Sequence, residues 1–117
     1  MNDAGAVTIF GLGEAGTAIA TTLVAAGVEV HAFDPRDVLI PPGVTRHDDP
    51  ISASASSISV LAVTAARDAM QALEQACDAL APGTLYADLS TSAPAVKRTL
   101  ADRAASADVE FVDIALM

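Results

Sequence analysis

The chain has 117 residues, with 15 acidic and six basic side chains, a formal net charge of −9 and a pI near 4.2. That length fits one domain, and a composition 52% hydrophobic but only 3% aromatic requires a core of Ala, Val, Leu and Ile. The acidic balance argues against nucleic acid or an anionic membrane as a partner, because neither phosphate backbones nor acidic headgroups are attracted to such a surface.

In chain order, an apolar strand over Ala6–Phe10 runs directly into Gly11-Leu12-Gly13-Glu14-Ala15-Gly16. A small-residue helix over Ala15–Ala26 follows, with Ile19, Leu23 and Ala26 on one face, and Gly27 stops it. A second strand, Glu29–Phe33, ends on Asp34. This is the order of a dinucleotide-binding βαβ unit. Gly11 permits the tight turn, Gly13 lets the backbone approach a pyrophosphate, and Gly16 lets the helix pack close to the sheet. The helix N-terminus then offers free N–H groups and positive potential to the phosphates. Asp34 stands 18 residues beyond Gly16, near the ~20 at which a carboxylate holds the adenosine ribose. Glu14 would repel a pyrophosphate if it turned inward, so it is expected to face solvent.

Residues 35–43 hold three of the six prolines and read as a loop. A short strand follows at Val44–Arg46, and Asp49-Pro50 opens a helical turn over Ile51–Ala55. Ser52, Ser54, Ser56 and Ser57 read as a solvated segment. The continuous apolar run Ile58–Val63 predicts a buried parallel strand. A helix over Ala66–Leu80, a strand over Thr84–Asp88, a helix over Ala93–Ser106 and a strand over Glu110–Ile114 complete the pattern. Six strands with crossover helices predict an α/β, doubly wound parallel sheet of the Rossmann type, in the order 3-2-1-4-5-6. The ligand should lie between strands 1 and 4.

The lone Cys77 excludes an intrachain disulfide and a cysteine-based zinc site, and reads as a small apolar helix residue. No run reaches the ~18 apolar residues of a membrane span. Met1-Asn2-Asp3 lacks the basic start of a signal peptide, so a cytoplasmic setting is expected. The apolar ending Phe111 to Met117, with no closing helix, suggests the first domain of a longer protein whose last strand exposes apolar surface.

Two motifs then carry a resemblance. Gly11-Leu12-Gly13-Glu14-Ala15-Gly16 through Ala20 and Leu23 matches a GLGxxGxxxAxxL pattern, and Asp88-Leu89-Ser90-Thr91-Ser92-Ala93-Pro94 matches D-x-S-T-x-x-P. Together they resemble the β-hydroxyacid dehydrogenases, the 3-hydroxyisobutyrate and 6-phosphogluconate dehydrogenase family, over essentially the whole chain. The G-x-G-E-A start looks closest to the phosphogluconate dehydrogenase-like members. Asp113-Ile114-Ala115-Leu116 stands, altered, where the family's substrate segment begins.

The resemblance implies an NAD(P)-binding domain of an oxidoreductase that passes hydride between a nicotinamide cofactor and a small hydroxy acid. It implies that residues 11–16 hold the pyrophosphate and Asp34 the adenosine ribose. Val63 and Thr64 would line the cofactor cleft, Thr91 would approach the nicotinamide, and Ser90 would neighbour the substrate carboxylate. The bland alternative for Ser90-Thr91-Ser92 is a helix N-cap before Pro94. Asp68 matches a cofactor-contacting Asn but differs in charge.

Either NAD or NADP fits, with NAD slightly preferred, since a 2′-phosphate beside Asp34 would meet a like charge. Arg36 is expected to stack on the adenine or point to solvent. The family's catalytic Lys belongs to a later helical domain that would also bind substrate and form a homodimer. Lys97 does not match its spacing and reads as a solvated surface lysine. His31 and His47 form no Ser-His-Asp set. No catalytic residue and no metal site are therefore assigned, and these 117 residues alone are expected to show no turnover. The competing reading is a regulatory NAD-sensing module of a potassium-transport system. A flavin or S-adenosylmethionine binder is a weaker third. The hydroxyl cluster Ser90-Thr91-Ser92 favours the oxidoreductase.

Overall fold

The computed structural model describes residues 5–55 and 57–115. Its elements are β1 (Ala6–Phe10), α1 (Glu14–Ala25), β2 (Glu29–Phe33), β3 (Val44–Arg46), α2 (Pro50–Ser54) and β4 (Ser57–Ala62). A 3-10 turn at Ala66–Asp68 then leads into α3 (Ala69–Cys77), followed by β5 (Leu85–Asp88), α4 (Pro94–Ser106) and β6 (Glu110–Asp113). The sheet order is β3-β2-β1-β4-β5-β6, and every pair is parallel. Both features match the sequence-based expectation.

Strand alternation builds a core on each face. On β1, Ile9 joins Leu12, Ala20, Val30 and Ala32 beneath α1, whereas Phe10 joins Val60, Leu73, Tyr86 and Leu100 beneath α3 and α4. Gly16 and Ala20 are the buried positions of α1, so the helix approaches the sheet closely there, while Ile19, Leu23 and Val24 pack half-buried against the same core. Tyr86 stacks on Phe111 with ring centroids 6.3 Å apart. Cys77 is half-buried against the second core, and burial pushes its thiol pKa up, as suits a small apolar helix residue.

The element ends differ by a residue or so from those predicted, most at α3. There the expected first turn tightens into 3-10 geometry, with Asp68 N–H donating to Ala65 O. The serine segment is not solvated throughout. Ser54 and Ser57 are buried, and the hydroxyls of Thr8 and Ser57 bond to each other and to Ala53 O. Ser52 does stay exposed, and its N–H donates at 2.8 Å to Oδ1 of Asp49, the N-cap of α2. Ser56, and the Leu116 and Met117 of the apolar ending, lie outside the described residues. Val112 and Ile114 on that ending are each 37% exposed. Among the described residues no helix is long and apolar enough to cross a membrane.

Helices α1 and α4 end alike. Val28 N–H reaches Leu23 O and Gly27 N–H reaches Val24 O, while Val109 N–H reaches Ala104 O and Asp108 N–H reaches Ala105 O. This paired bonding needs a left-handed residue after the helix. Gly27 supplies it at φ +85°, but Asp108 is forced to φ +57°. Asp108→Gly is therefore expected to stabilise the domain by about 0.5–1 kcal/mol, a rise in Tm of a few degrees in thermal denaturation.

Candidate functional site at the switch point

The chain leaves β1 toward β2 on one side and leaves β4 toward β5 on the other. The carboxyl ends of β1 and β4 therefore part, and a cleft opens where open α/β sheets receive ligands. It has a volume of about 520 Å³ and is lined by Phe10, Gly11, Asp34, Arg36, Val63, Thr64, Arg67 and Asp68, among others. Of the candidate site residues, Gly11, Asp34, Arg36, Val63 and Thr64 share that lining, and residues 12–16 stand outside it. Ser90 and Thr91 stand apart from that lining, after β5.

Two of the three motif glycines are required by the protein itself. Gly11 has φ +97°, and a Cβ there would sit 2.2 Å from Val63 O. A Cβ on Gly16 would sit 1.8 Å from Gly11 O. Gly13 differs. Its φ of −72° suits any residue, and the nearest atom to a Cβ there is Arg36 Nη2 at 3.7 Å. The protein leaves that space open above the turn. Gly13 also caps α1 without a side chain, so the first N–H groups of the helix face the same space. Glu14 is exposed beside them.

Asp34 is 2% exposed and accepts four hydrogen bonds. Leu12 N–H donates to Oδ2 at 2.8 Å, and Arg36 N–H to Oδ1 at 2.9 Å. The Arg36 guanidinium adds Nε to Oδ1 at 3.1 Å and Nη2 to Oδ2 at 2.8 Å. Burial opposes ionisation of this carboxyl, but the guanidinium and the two amides outweigh it and hold the pKa down to about 2. Leu12 itself is buried in the core beneath α1, so its amide ties the glycine turn to β2. Arg36, expected on an adenine or in solvent, instead closes back on Asp34. Pro35 turns the chain so that both the backbone and the side chain of Arg36 reach the carboxylate. The Arg36 side chain is 65% exposed, while the carboxylate beneath it is buried.

Thr64 Oγ1 is buried and has no hydrogen-bond partner among the described residues. Arg67, which sequence reasoning missed, is 86% exposed and stands 3.9 Å from Asp68 Oδ2. It places a second cation on the cleft and offsets the charge of Asp68. Its neighbour in sequence, the Asp68 that departs from the family pattern, was the available signal.

At the other end of the rim, Ser90 is buried and its Oγ donates to Asp88 Oδ2 at 2.7 Å. Thr91 is exposed. The N-cap of α4 is Ala93, with no side-chain cap, so Ser90-Thr91-Ser92 does not serve that purpose. Lys97 is not a solvated surface lysine. Its side chain is 12% exposed, and Nζ lies 2.6 Å from both Asp88 Oδ2 and Asp113 Oδ1. Burial disfavours the ammonium, but the hydrogen bonds to Asp113 and Asp88 outweigh it and raise its pKa. His31 and His47 pair with each other at 2.7 Å, and His31 Nε2 also meets Glu29 Oε2 at 2.7 Å.

An open space above Gly13, an orphaned hydroxyl on the cleft wall and a buried acid at the end of β2 together define a dinucleotide-binding α/β domain. Comparison with known proteins agrees. Residues 6–116 match the NAD binding domain of 6-phosphogluconate dehydrogenase, and the chain belongs to that family. No curated protein matches its sequence. Among solved structures, it resembles 3-hydroxyisobutyrate dehydrogenase from Mycobacterium tuberculosis in a structure with L-serine. The identity is 24% and the TM-score 0.84, over 93% of this chain and 39% of that one. An imine reductase from Myxococcus stipitatus in complex with NADP+ gives 21% identity and a TM-score of 0.86, over 96% and 41%. An imine reductase from Streptomyces aurantiacus gives 28% and 0.81, over 92% and 40%. The chain spans about two fifths of the length of these proteins.

The depressed pKa of Asp34 carries a pH dependence. Its contribution is complete above the ordinary carboxylate value of ~3.9 and is lost as pH falls toward the folded value of about 2. Asp34→Asn should therefore be less stable than the unsubstituted domain at neutral pH, and the gap should narrow between pH ~4 and ~2. Urea denaturation of both proteins across that range measures it.

Proposed function

We propose that this chain is the cofactor-binding domain of an oxidoreductase that transfers hydride between a nicotinamide dinucleotide and a small hydroxy acid. The observation that carries the reading is Gly13. The fold explains Gly11 and Gly16 by collision with backbone oxygens, but nothing in the protein occupies the place of a Gly13 side chain. A pyrophosphate against the α1 N-terminus would.

In this reading the N–H groups of residues 13–16 hold the pyrophosphate. Asp34 holds the adenosine ribose by exchanging the Arg36 guanidinium for two hydroxyls. Val63 and Thr64 line the passage, and Thr64 Oγ1 gains the partner it lacks. Thr91 approaches the nicotinamide and Ser90 borders the substrate carboxylate. The hydride chemistry is the cofactor's. The domain binds it, orients it and keeps water from one side. A second, helical domain would supply the catalytic lysine, the substrate pocket and a homodimer contact, in a cytoplasmic protein. The family match favours this reading over a regulatory NAD-sensing module.

Two measurements test it. In calorimetry the unsubstituted chain binds NAD, and Gly13→Val weakens binding at least tenfold, about 1.4 kcal/mol. The nearest protein atom to the new Cβ is the movable Arg36 Nη2 at 3.7 Å, so the free domain should still fold, with its Tm lowered only by the poorer N-cap that Val makes for α1. Unchanged affinity would remove the pyrophosphate from this turn. The second compares cofactors. NAD should bind somewhat more tightly than NADP, because a 2′-phosphate meets the Asp34 carboxylate. Tighter NADP binding that Arg36→Ala abolishes would reverse the preference.

A further inference from the structure

The ends of β5 and β6 hold a polar cluster that the dinucleotide reading leaves unused. Asp88 closes β5, and Asp113 lies beside it on β6 in the ladder. Two carboxylates side by side at the ends of parallel strands repel each other. Lys97, one turn into α4, comes between them. Its Nζ donates at 2.6 Å to Asp88 Oδ2 and at 2.6 Å to Asp113 Oδ1, and it lies 3.3 Å from Asp88 O. The same Asp88 Oδ2 accepts Ser90 Oγ at 2.7 Å, and Ser90 Oγ meets Ser92 Oγ at 2.8 Å.

These bonds form one chain from helix to loop. Asp88 is fully buried, so removing its ammonium would leave an acid group without a counter-ion where water cannot replace one. The β5–α4 loop is thereby tied at both ends. It cannot move without breaking charge-assisted bonds, which are roughly twice as strong as neutral ones.

Its position decides what that rigidity serves. Asp34 marks the adenosine half at the end of β2, on one side of the switch point. A dinucleotide laid across the crevice from there puts its second nucleotide over β4, β5 and β6. The Ser90-Thr91-Ser92 loop stands on that half.

We propose that Lys97 is a positioning residue for the nicotinamide half of the cofactor: through Asp88 it fixes Ser90, and with it the loop against which that half seats. Lys97 touches no ligand itself. The proposal rests on the reading of this chain as a nicotinamide dinucleotide binder, and two ligands separate the claims. ADP-ribose and NADH share adenosine, pyrophosphate and the second ribose, and only NADH carries the nicotinamide. The reduced ring is uncharged, so loss of an ammonium acts on it through position rather than through charge.

The experiment titrates the 117-residue chain with both ligands and takes the ratio Kd(ADP-ribose)/Kd(NADH). The ratio should exceed one in the unsubstituted chain. Lys97→Met should lower it at least about threefold while leaving the ADP-ribose Kd within about twofold, and Lys97→Arg should restore most of it. Ser90→Ala removes one hydroxyl, spares the ion pairs and should lower the ratio in the same direction. It carries the test if Lys97→Met does not fold. An unmoved ratio, a ratio of one at the outset, or equal weakening of both ligands would each overturn the proposal. If the unsubstituted chain binds neither ligand, the dinucleotide reading falls and the proposal with it.

Discussion

The structure depends on a place where three backbone segments meet with no side chain between them. Gly11 turns out of β1 against the carbonyl of Val63 after β4, and Gly16 on α1 rides on the carbonyl of Gly11. Each contact would be closed by a single methyl group, because a Cβ would come within 1.8–2.2 Å of an oxygen. That closeness aims the N-terminus of α1 at the gap between β1 and β4, and it sets the depth at which α1 buries Gly16 and Ala20. The hydrogen bond from Leu12 to Asp34 then ties the same turn to the end of β2. Of the three motif glycines, Gly13 alone leaves its side-chain space open, and the proposed phosphate site falls there.

An acidic chain must nevertheless receive an anionic cofactor. Arg36 and Arg67 line the cleft, Arg46 donates to the Arg36 carbonyl at 3.3 Å, and Lys97 joins the ends of β5 and β6. Four of the six cations therefore sit on the carboxyl rim of the sheet, while Arg103 pairs with Glu74 between α4 and α3. Arg36 is matched by Asp34, Arg67 by Asp68 and Lys97 by Asp88 and Asp113, so what the cleft offers an anion is the positive end of α1 together with the exposed guanidinium groups of Arg36 and Arg67.

The strands, their order and the glycine turn were legible because each rests on local sequence. Apolar runs, punctuating glycines and the spacing from Gly16 to Asp34 need no knowledge of distant residues. The misread residues all depend on long-range partners or on turn geometry. Lys97 looked like a surface lysine because nothing near it in sequence reveals that Asp88 and Asp113 converge on its helix. Ser57 looked solvated because its partner, Thr8, lies 49 residues away. Arg36 reads from sequence as an adenine or solvent contact, yet the turn after β2 returns its backbone and side chain to Asp34. The proposed roles of Ser90 and Thr91 come from the resemblance, and the helix-cap alternative fails because Ala93 is the N-cap of α4.

The central claim is that a nicotinamide dinucleotide lies across the switch point with its pyrophosphate over Gly13. The most direct test is an amide NMR titration of the assigned domain with NAD. The largest shifts should fall on Gly13 to Gly16, on Val63 and Thr64, and on Ser90 and Thr91, with the opposite edge of the sheet unmoved. Saturating NAD that leaves the Gly13–Gly16 amides in place, or that shifts a different face, would contradict the account.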